Sequence, residues 1–528
     1  MPNFIFHLPN LESIFKKQTV AEATILITVF IFLSKVIGYF REVFIAKYFG
    51  VTGQTDAFLV ALLISTSIMG LLSSGLSVLI IPVYVEKRKN DPAKAKIFAN
   101  QIFLLLCGIT LIFSLVLFFF APFFVKLVAF GLGETRFNLA VTFTRYLIPL
   151  GFATVFIGFF TGLYQARRQF LYPTLITVIG NALVVLSLIL LTPRLGINSW
   201  TVGYLLFAAL SFFALWGVLW RKGGFFQNFF LKNIDWAEIR HFFWLLFPLT
   251  LSGGVVILNQ IIDKTIASFL ATGSIAILNF AQGIYSIPLS FLSGSLVVAL
   301  YPVFASLALD KSQRFNYARV LREALSLSWY LIIPISFIFM ILSQQIVRLL
   351  FQRGAFTVEA TNLTAFALSM YSIGLFAHMA NYFLIKTFYS FKNTKVPLIL
   401  TFVIVVTNII GNIILSRILG VAGIALATSI SVSLGFILYF SILSKYFKGI
   451  SFKSLWEEAF RVILASIPLG ACSFFLRPYL SASPDFFHLL TKFILVGALL
   501  SLLYLLSGYL LKLEGLKITI SFLKRKFS

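Results

Sequence analysis

The chain of 528 residues is 60% hydrophobic, only 11% charged and carries 62 phenylalanines. A soluble domain has no interior large enough for that much apolar surface, so composition excludes a soluble globular protein and predicts a polytopic membrane protein. The net charge of +25 raises the question of a nucleic-acid partner, and only two cysteines, Cys107 and Cys472, lie far apart in apolar runs without ligand spacing, as buried structural thiols do.

Hydropathy predicts fourteen spans, near 21–46, 55–84, 97–125, 138–165, 172–192, 198–220, 241–270, 275–306, 324–347, 361–390, 396–416, 421–444, 459–476 and 488–511. Residues 1–20 are mildly basic and carry no small-residue cleavage site, so no cleavable signal is expected. With the N-terminus inside, cytoplasmic segments hold 27 of the 42 Lys and Arg, including Lys87-Arg88-Lys89, Arg167-Arg168 and Lys524-Arg525-Lys526. This bias, about threefold over the other side, follows the positive-inside rule and predicts both termini in the cytoplasm. Basic loops distributed this way suit anionic lipid headgroups and argue against nucleic acid. The connections are short, and the longest polar one, about 220–240, is cytoplasmic. That weighs against a membrane glycosyltransferase, which needs an acidic active site in a sizeable extramembrane loop.

The first span runs into a charged stretch from Ser34 to Phe58. On a helix Lys35, Gly38 and Glu42 share one stripe, with Arg41 beside it. Charges at membrane depth cost roughly 2.5–3.5 kcal/mol or more each. Either the stripe lines a wet pathway or binding cavity, or Arg41 and Glu42 sit at the helix end and snorkel to the interface. Both readings stand on the residues alone.

An internal repeat follows. Leu79-Ile80-Ile81-Pro82-Val83-Tyr84 recurs as Ala299-Leu300-Tyr301-Pro302-Val303-Phe304, Tyr164 and Pro173 as Tyr389 and Pro397, and Pro193-Arg194-Leu195-Gly196-Ile197 as Ser416-Arg417-Ile418-Leu419-Gly420-Val421. Spans 1–6 thus match spans 7–12 in order, and six spans return the chain to the same side. The expectation is an all-α membrane protein with two six-helix lobes in a parallel pseudo-twofold repeat plus two C-terminal helices. The boundaries are 1–230 for the first lobe, 231–450 for the second, and 451–528 for the last two spans with a basic tail.

Polar residues inside the remaining spans are few. Asp263-Lys264 in span 7 reads either as a self-neutralising packing pair or as a functional one. Asn408 and Asn412 lie one turn apart in span 11 and Thr428 lies in span 12; intramembrane Asn commonly bonds a neighbouring helix for around 1 kcal/mol. Arg145 and Lys386 snorkel or serve a ligand. His7, His241, His378 and His488 form no metal cluster, and His378 reads as a hydrogen-bonded packing residue. Glu457-Glu458 reads as a solvated helix start. There is no Walker A loop and so no sign of ATP use.

Ser34-Lys35, Gly38, Arg41-Glu42, Ala46, Phe49-Gly50 and Thr55-Asp56-Ala57-Phe58 resemble the first-span signature of the MurJ/MviN family, with Lys and Glu where the family has Arg and Asp. Further matches are Leu350-Phe351-Gln352-Arg353-Gly354-Ala355-Phe356-Thr357, Tyr371-Ser372-Ile373-Gly374-Leu375 and Asn393-Thr394-Lys395-Val396-Pro397. Members are lipid II flippases of the multidrug/oligosaccharidyl-lipid/polysaccharide exporter superfamily. The resemblance implies a bacterial inner-membrane transporter, not an enzyme, that moves undecaprenyl-pyrophosphate-linked lipid II by alternating access. It implies Lys35, Arg41, Glu42 and Asp56 as substrate-binding residues. It further implies a sodium site of Asp263, Asn408, Asn412, the Ile424 carbonyl and Thr428, and no other cofactor; the second span-11 position, an Asp in some members, is here the neutral Asn412. Two family arginines thought to bind pyrophosphate are replaced, in span 2 by Met69 followed by Gly70 and in span 8 by Gly283. The expected partners are lipid II and membrane lipids, no nucleic acid, with the chain acting as a monomer. The alternatives are a flippase for another polyprenyl-pyrophosphate oligosaccharide and a cation-coupled drug exporter of the same superfamily.

Overall fold

A computed structural model describes residues 20–225, 235–309, 313–446, 452–482 and 485–527. Residues 1–19, the middle of the long 220–240 connection (226–234) and Ser528 lie outside the described set, as do the side chains of Arg525 and Lys526. Among the described residues every regular element is helical. By internal contacts the chain divides into two compact units, Met1–Thr265 and Ile266–Ser528.

The first unit contains α1 (Val20–Phe49), α2 (Gly53–Asn90), α3 (Pro92–Phe119), α4 (Ala121–Val128), α5 (Glu134–Ala166), α6 (Leu171–Leu195), α7 (Asn198–Gly223) and most of α8 (Trp236–Ser268). Its helix ends are written locally. Gly50 takes the left-handed φ of +55° that turns the chain after α1, and the Thr52 side chain caps α2 by accepting from the Thr55 N–H. Asp91 ends α2 and caps α3, accepting from the N–H groups of Ala93 and Lys94, with Pro92 in the first turn where its missing donor costs nothing.

α2 and α5 pack backbone to backbone. A Cβ at Gly151 would lie 2.2 Å from the Ser65 carbonyl oxygen, one at Gly158 2.3 Å from that of Ser73, and one at Gly162 2.0 Å from Ile80 Cγ2. In lipid no hydrophobic force draws helices together, so close approach at small residues takes its place. The rest of the interior is aromatic: Phe156 and Phe160 of α5 meet Phe103 of α3 and Phe212 of α7, and Phe58 stacks on Trp200 at 3.9 Å. Offset and edge-on ring pairs of this kind add about 0.5–1.5 kcal/mol each beyond burial.

The second unit runs through α9 (Ser274–Leu292), a π-helical turn (Ser293–Val297), α10 (Val298–Leu309), α11 (Arg314–Ile341), α12 (Ser343–Phe351), α13 (Val358–Ile373), α14 (Leu375–Ser390), α15 (Lys395–Leu419), α16 (Val421–Tyr446), α17 (Phe452–Ser481), α18 (Phe486–Leu510) and α19 (Glu514–Phe527). Internally it echoes the first. Arg168 and Lys392 both take left-handed φ values, +59° and +57°, as the chain leaves α5 and α14. Gly196 and Gly420 end α6 and α15 with matching backbones, φ/ψ +52°/−134° and +58°/−134°. Short α4 follows α3 as short α12 follows α11. These pairs keep the order and the spacing of the repeat read from the sequence.

Among the described residues, eleven helices are long and apolar enough to cross a membrane, or twelve if α13 and α14 count as one broken span. α1 and α8, of 30 and 33 residues, overlie the expected first and seventh spans. Four expected spans are interrupted, among them span 9, which breaks at Leu342 between α11 and α12. Span 3 stops at Phe119, and α4 restarts with Pro122 in its first turn. Span 8 passes through the π-helical turn. Span 10 bends by 46° between α13 and α14. Gly374 sits at that bend because a Cβ there would lie 2.6 Å from Ser429 Cα of α16. The Ser429 hydroxyl is within hydrogen-bond distance of the Met370 and Tyr371 carbonyls, 2.6 and 2.9 Å, and so satisfies backbone groups that the bend releases.

Candidate functional site

The last turns of α1 carry the charged stripe, and the structure surrounds Arg41 with partners from three helices. Its Nε and Nη2 donate to Glu42 Oε1 at 3.3 and 2.9 Å, and its Nη1 donates to Asn181 Oδ1 on α6 at 3.1 Å. The guanidinium carbon lies 5.8 Å from the ring centre of Tyr204 on α7, a cation–π placement. The side chain remains 23% exposed, so the charge is held and still accessible. Lys35 lies two turns back on α1, exposed, in a cleft of about 300 Å³ that it lines with Ser34, Thr161, Thr174 and Thr177. Asn181 joins the two places, for its Nδ2 donates to Ser34 Oγ at 3.1 Å.

Asp56, expected beside these residues, belongs to a second charged cluster. It is 1% exposed in the first turn of α2, with Arg136 Nη1 3.7 Å from its Oδ2. It also lies within electrostatic range of Lys264 on α8, whose Nζ donates to the Leu59 carbonyl at 2.8 Å. Thr265 Oγ1 donates to the Val128 carbonyl at 2.7 Å. This end of α8 is thereby tied to α2 and α4 within the first unit.

Four of the five residues of the expected cation site come together in the second unit. Asn412 Nδ2 donates to Asn408 Oδ1 at 2.9 Å, Asn408 Nδ2 to Thr428 Oγ1 at 3.2 Å, and Thr428 Oγ1 to the Ile424 carbonyl at 3.2 Å. Asn408 and Asn412 are fully buried. The set is neutral and offers hard oxygen atoms, the ligand type that hard cations take. Asp263, the fifth residue, is a buried residue of the first unit.

Positions singled out for other reasons have plain surroundings. Met69, where the family's arginine is absent, is buried and lines an apolar cavity of about 230 Å³ with Leu72, Phe113, Phe247 and Gly254. Thr110 and Thr250 also line it, and both hydroxyls bond back to carbonyls of their own helices, so neither turns a donor into the cavity. Arg145 donates to the Phe118 carbonyl at the end of α3, and Lys386 sits over the ring of Tyr301. Tyr285 OH and His378 Nδ1 are 2.7 Å apart, in keeping with a hydrogen-bonded packing residue. Glu458 departs from expectation: it is buried and accepts the Glu514 N–H at 2.7 Å, docking the start of α19. Cys107 and Cys472 are free thiols, half-buried rather than fully buried.

Sequence reasoning missed Asn181, Tyr204 and Arg136. Asn181 carried a readable signal, an amide amid the apolar run of span 5, of the kind used to single out Asn408 and Asn412.

Long apolar helices in two internally similar units, with a held cation and a polar cleft in the first, define a multi-pass membrane transporter. A solved structure described as an inward-facing multidrug resistance MATE family transporter of the MOP superfamily shares the fold, with a TM-score of 0.68 at 14% identity over 79% of this chain and 95% of that one. The family model described as lipid II flippase MurJ matches residues 45–491, and the chain belongs to that family. A probable lipid II flippase MurJ of Thermotoga maritima is 28% identical over 489 residues, covering 92% of this chain and 95% of the relative. One from Bdellovibrio bacteriovorus is 25% identical over 458 residues, covering 82% and 83%. A solved lipid II flippase MurJ in an inward closed conformation matches with a TM-score of 0.77 at 25% identity, over 92% of this chain and 99% of that one.

Proposed function

We propose that this chain moves lipid II, the undecaprenyl-pyrophosphate-linked peptidoglycan precursor, across the bacterial cytoplasmic membrane by alternating access. In this reading it works as a monomer with both termini in the cytoplasm. Beyond family membership, the observation that carries the reading is the state of Arg41. Three of its five N–H groups are engaged by Glu42 and Asn181. One N–H on each terminal nitrogen is left to donate to phosphate oxygens. Lys35 in the neighbouring cleft adds a second cation, and Glu42 keeps the guanidinium in place. Asp56, held with Arg136, serves the substrate indirectly by fixing the start of α2. Met69 in place of an arginine leaves Arg41 with a larger share of the headgroup. The test is growth rescue of a strain depleted of its lipid II flippase. Rescue by the parent chain supports the reading; no rescue at normal membrane abundance, together with rescue of a strain lacking another polyprenyl-pyrophosphate flippase, replaces lipid II by that glycan.

The cation is a second part of the proposal. Asn408, Asn412, Thr428 and the Ile424 carbonyl would hold sodium, stabilising one state of the second unit. With no carboxylate among these four, binding is weak. Asn408→Ala should therefore remove any sodium dependence of transport in vesicles; unchanged sodium dependence would leave these residues as a helix-packing network.

A further inference from the structure

We propose that Asn181 is the positioning residue for Arg41, so that headgroup affinity depends on an uncharged side chain of α6. The inference rests on the headgroup reading of Arg41. A guanidinium only donates, so the Asn181 oxygen must face Arg41 and its amino group must face Ser34, as the 3.1 Å contacts on each side require. That arrangement leaves the amide no freedom to flip. The backbone beneath it is equally fixed: a Cβ at the neighbouring Gly180 would lie 1.8 Å from the Phe207 ring, so α6 and α7 are in direct contact there. Glu42 alone, on the same helix as Arg41 and next to it, lets the guanidinium plane turn with the side chain. Asn181 adds a restraint from another helix, and through Ser34 it ties Arg41 to the wall of the cleft that holds Lys35. Two cations on one helix are thus set in a common frame. A bidentate contact depends on that frame because its gain comes from geometry as well as charge.

A merely structural Asn181 and a positioning Asn181 differ in their coupling to Arg41. The experiment measures binding of farnesyl pyrophosphate to the purified full-length chain in detergent for Asn181→Ala, Arg41→Lys and the double variant. Asn181→Ala should weaken binding about tenfold, the size of one hydrogen bond to a charged group. In the Arg41→Lys background the same change should cost less than about twofold, because a lysine has no plane to orient. Ser34→Ala, which keeps the Arg41 contact but frees the other end of the Asn181 amide, should weaken binding by less than Asn181→Ala does, and that loss too should shrink in the Arg41→Lys background. If Asn181→Ala does not fold, Asn181→Leu, closer in volume, takes its place in the cycle. Equal losses in both backgrounds, or no loss in either, would overturn the role of Asn181 while leaving Arg41 as the headgroup contact. Parent-like binding by Arg41→Ala would overturn the headgroup reading itself, and this inference with it.

Discussion

Arg41, a cation held on an apolar helix by Glu42 and Asn181, is the residue whose chemistry separates this chain most clearly from a generic membrane protein. Truncating one partner of a desolvated charge pair typically costs about 2–5 kcal/mol, roughly 30-fold or more in affinity. Arg41→Ala should therefore abolish growth rescue, whereas Arg41→Lys, which keeps the charge and loses the fork, should only reduce it, with membrane abundance of each variant measured alongside. Rescue by Arg41→Ala at equal abundance would remove the stripe on α1 from the substrate path. Met69→Arg follows a different logic. The side chain lines an apolar cavity with no free hydroxyl in its walls, so a guanidinium there either reaches the transported headgroup or is left without a partner. Gain or retention of rescue marks the first outcome; loss of protein from the membrane marks the second. The α1 stripe was legible because charge in an apolar run is rare. Asn181 was passed over because one amide looks like ordinary helix glue until its partners are known. The placement of Asp56 with Arg136, apart from the Arg41 group, was not legible, since spacing along α2 says nothing about which side chain of α5 comes to face it.

The helices were legible as apolar runs of bilayer length, and their breaks were not. Hydropathy averages over about 19 residues and passes smoothly across Phe120, Gly374 and the π-helical turn. At the break in span 3 a proline opens the next helix, and at the bend in span 10 a serine hydroxyl from another helix takes the released carbonyls, and neither changes the average. Helix packing carries a prediction of its own. Gly158→Leu places a branched side chain where a Cβ already lies 2.3 Å from Ser73 O, so α2 and α5 must separate. Overpacking of this kind costs typically 1–3 kcal/mol and often more against backbone. The variant should melt well below the parent in a thermal assay in detergent, while Gly108→Ala on α3, with nothing within 4 Å of the added carbon, should melt at the parent temperature or slightly above. Equal melting of both variants would mean that the contact between α2 and α5 does not limit stability.

At the scale of the whole molecule the repeat is the organising fact, and the matched left-handed residues at 168 and 392 and the matched glycines at 196 and 420 place it in the backbone as well as in the sequence. Such a repeat does not say which side of the membrane either end occupies; charge does. Lys87, Arg88 and Lys89 close α2, and Lys94 and Lys96 open α3, all within one connection. Moving these cations across the membrane against an inside-negative potential would cost about 2.3 kcal/mol per charge per 100 mV, and the anionic inner leaflet attracts them as well. Asn90 should therefore face the cytoplasm, and Asp485, an odd number of spans away between α17 and α18, should face the opposite side. In a background with Cys107 and Cys472 replaced by serine, Asn90→Cys should resist a membrane-impermeant thiol reagent in intact cells and react once the membrane is opened. Asp485→Cys, at an exposed helix start, should react in intact cells. The reverse pattern would invert the topology. Labelling of both sites from outside would mean that an even number of crossings separates them, so that one of the interrupted spans does not cross the membrane.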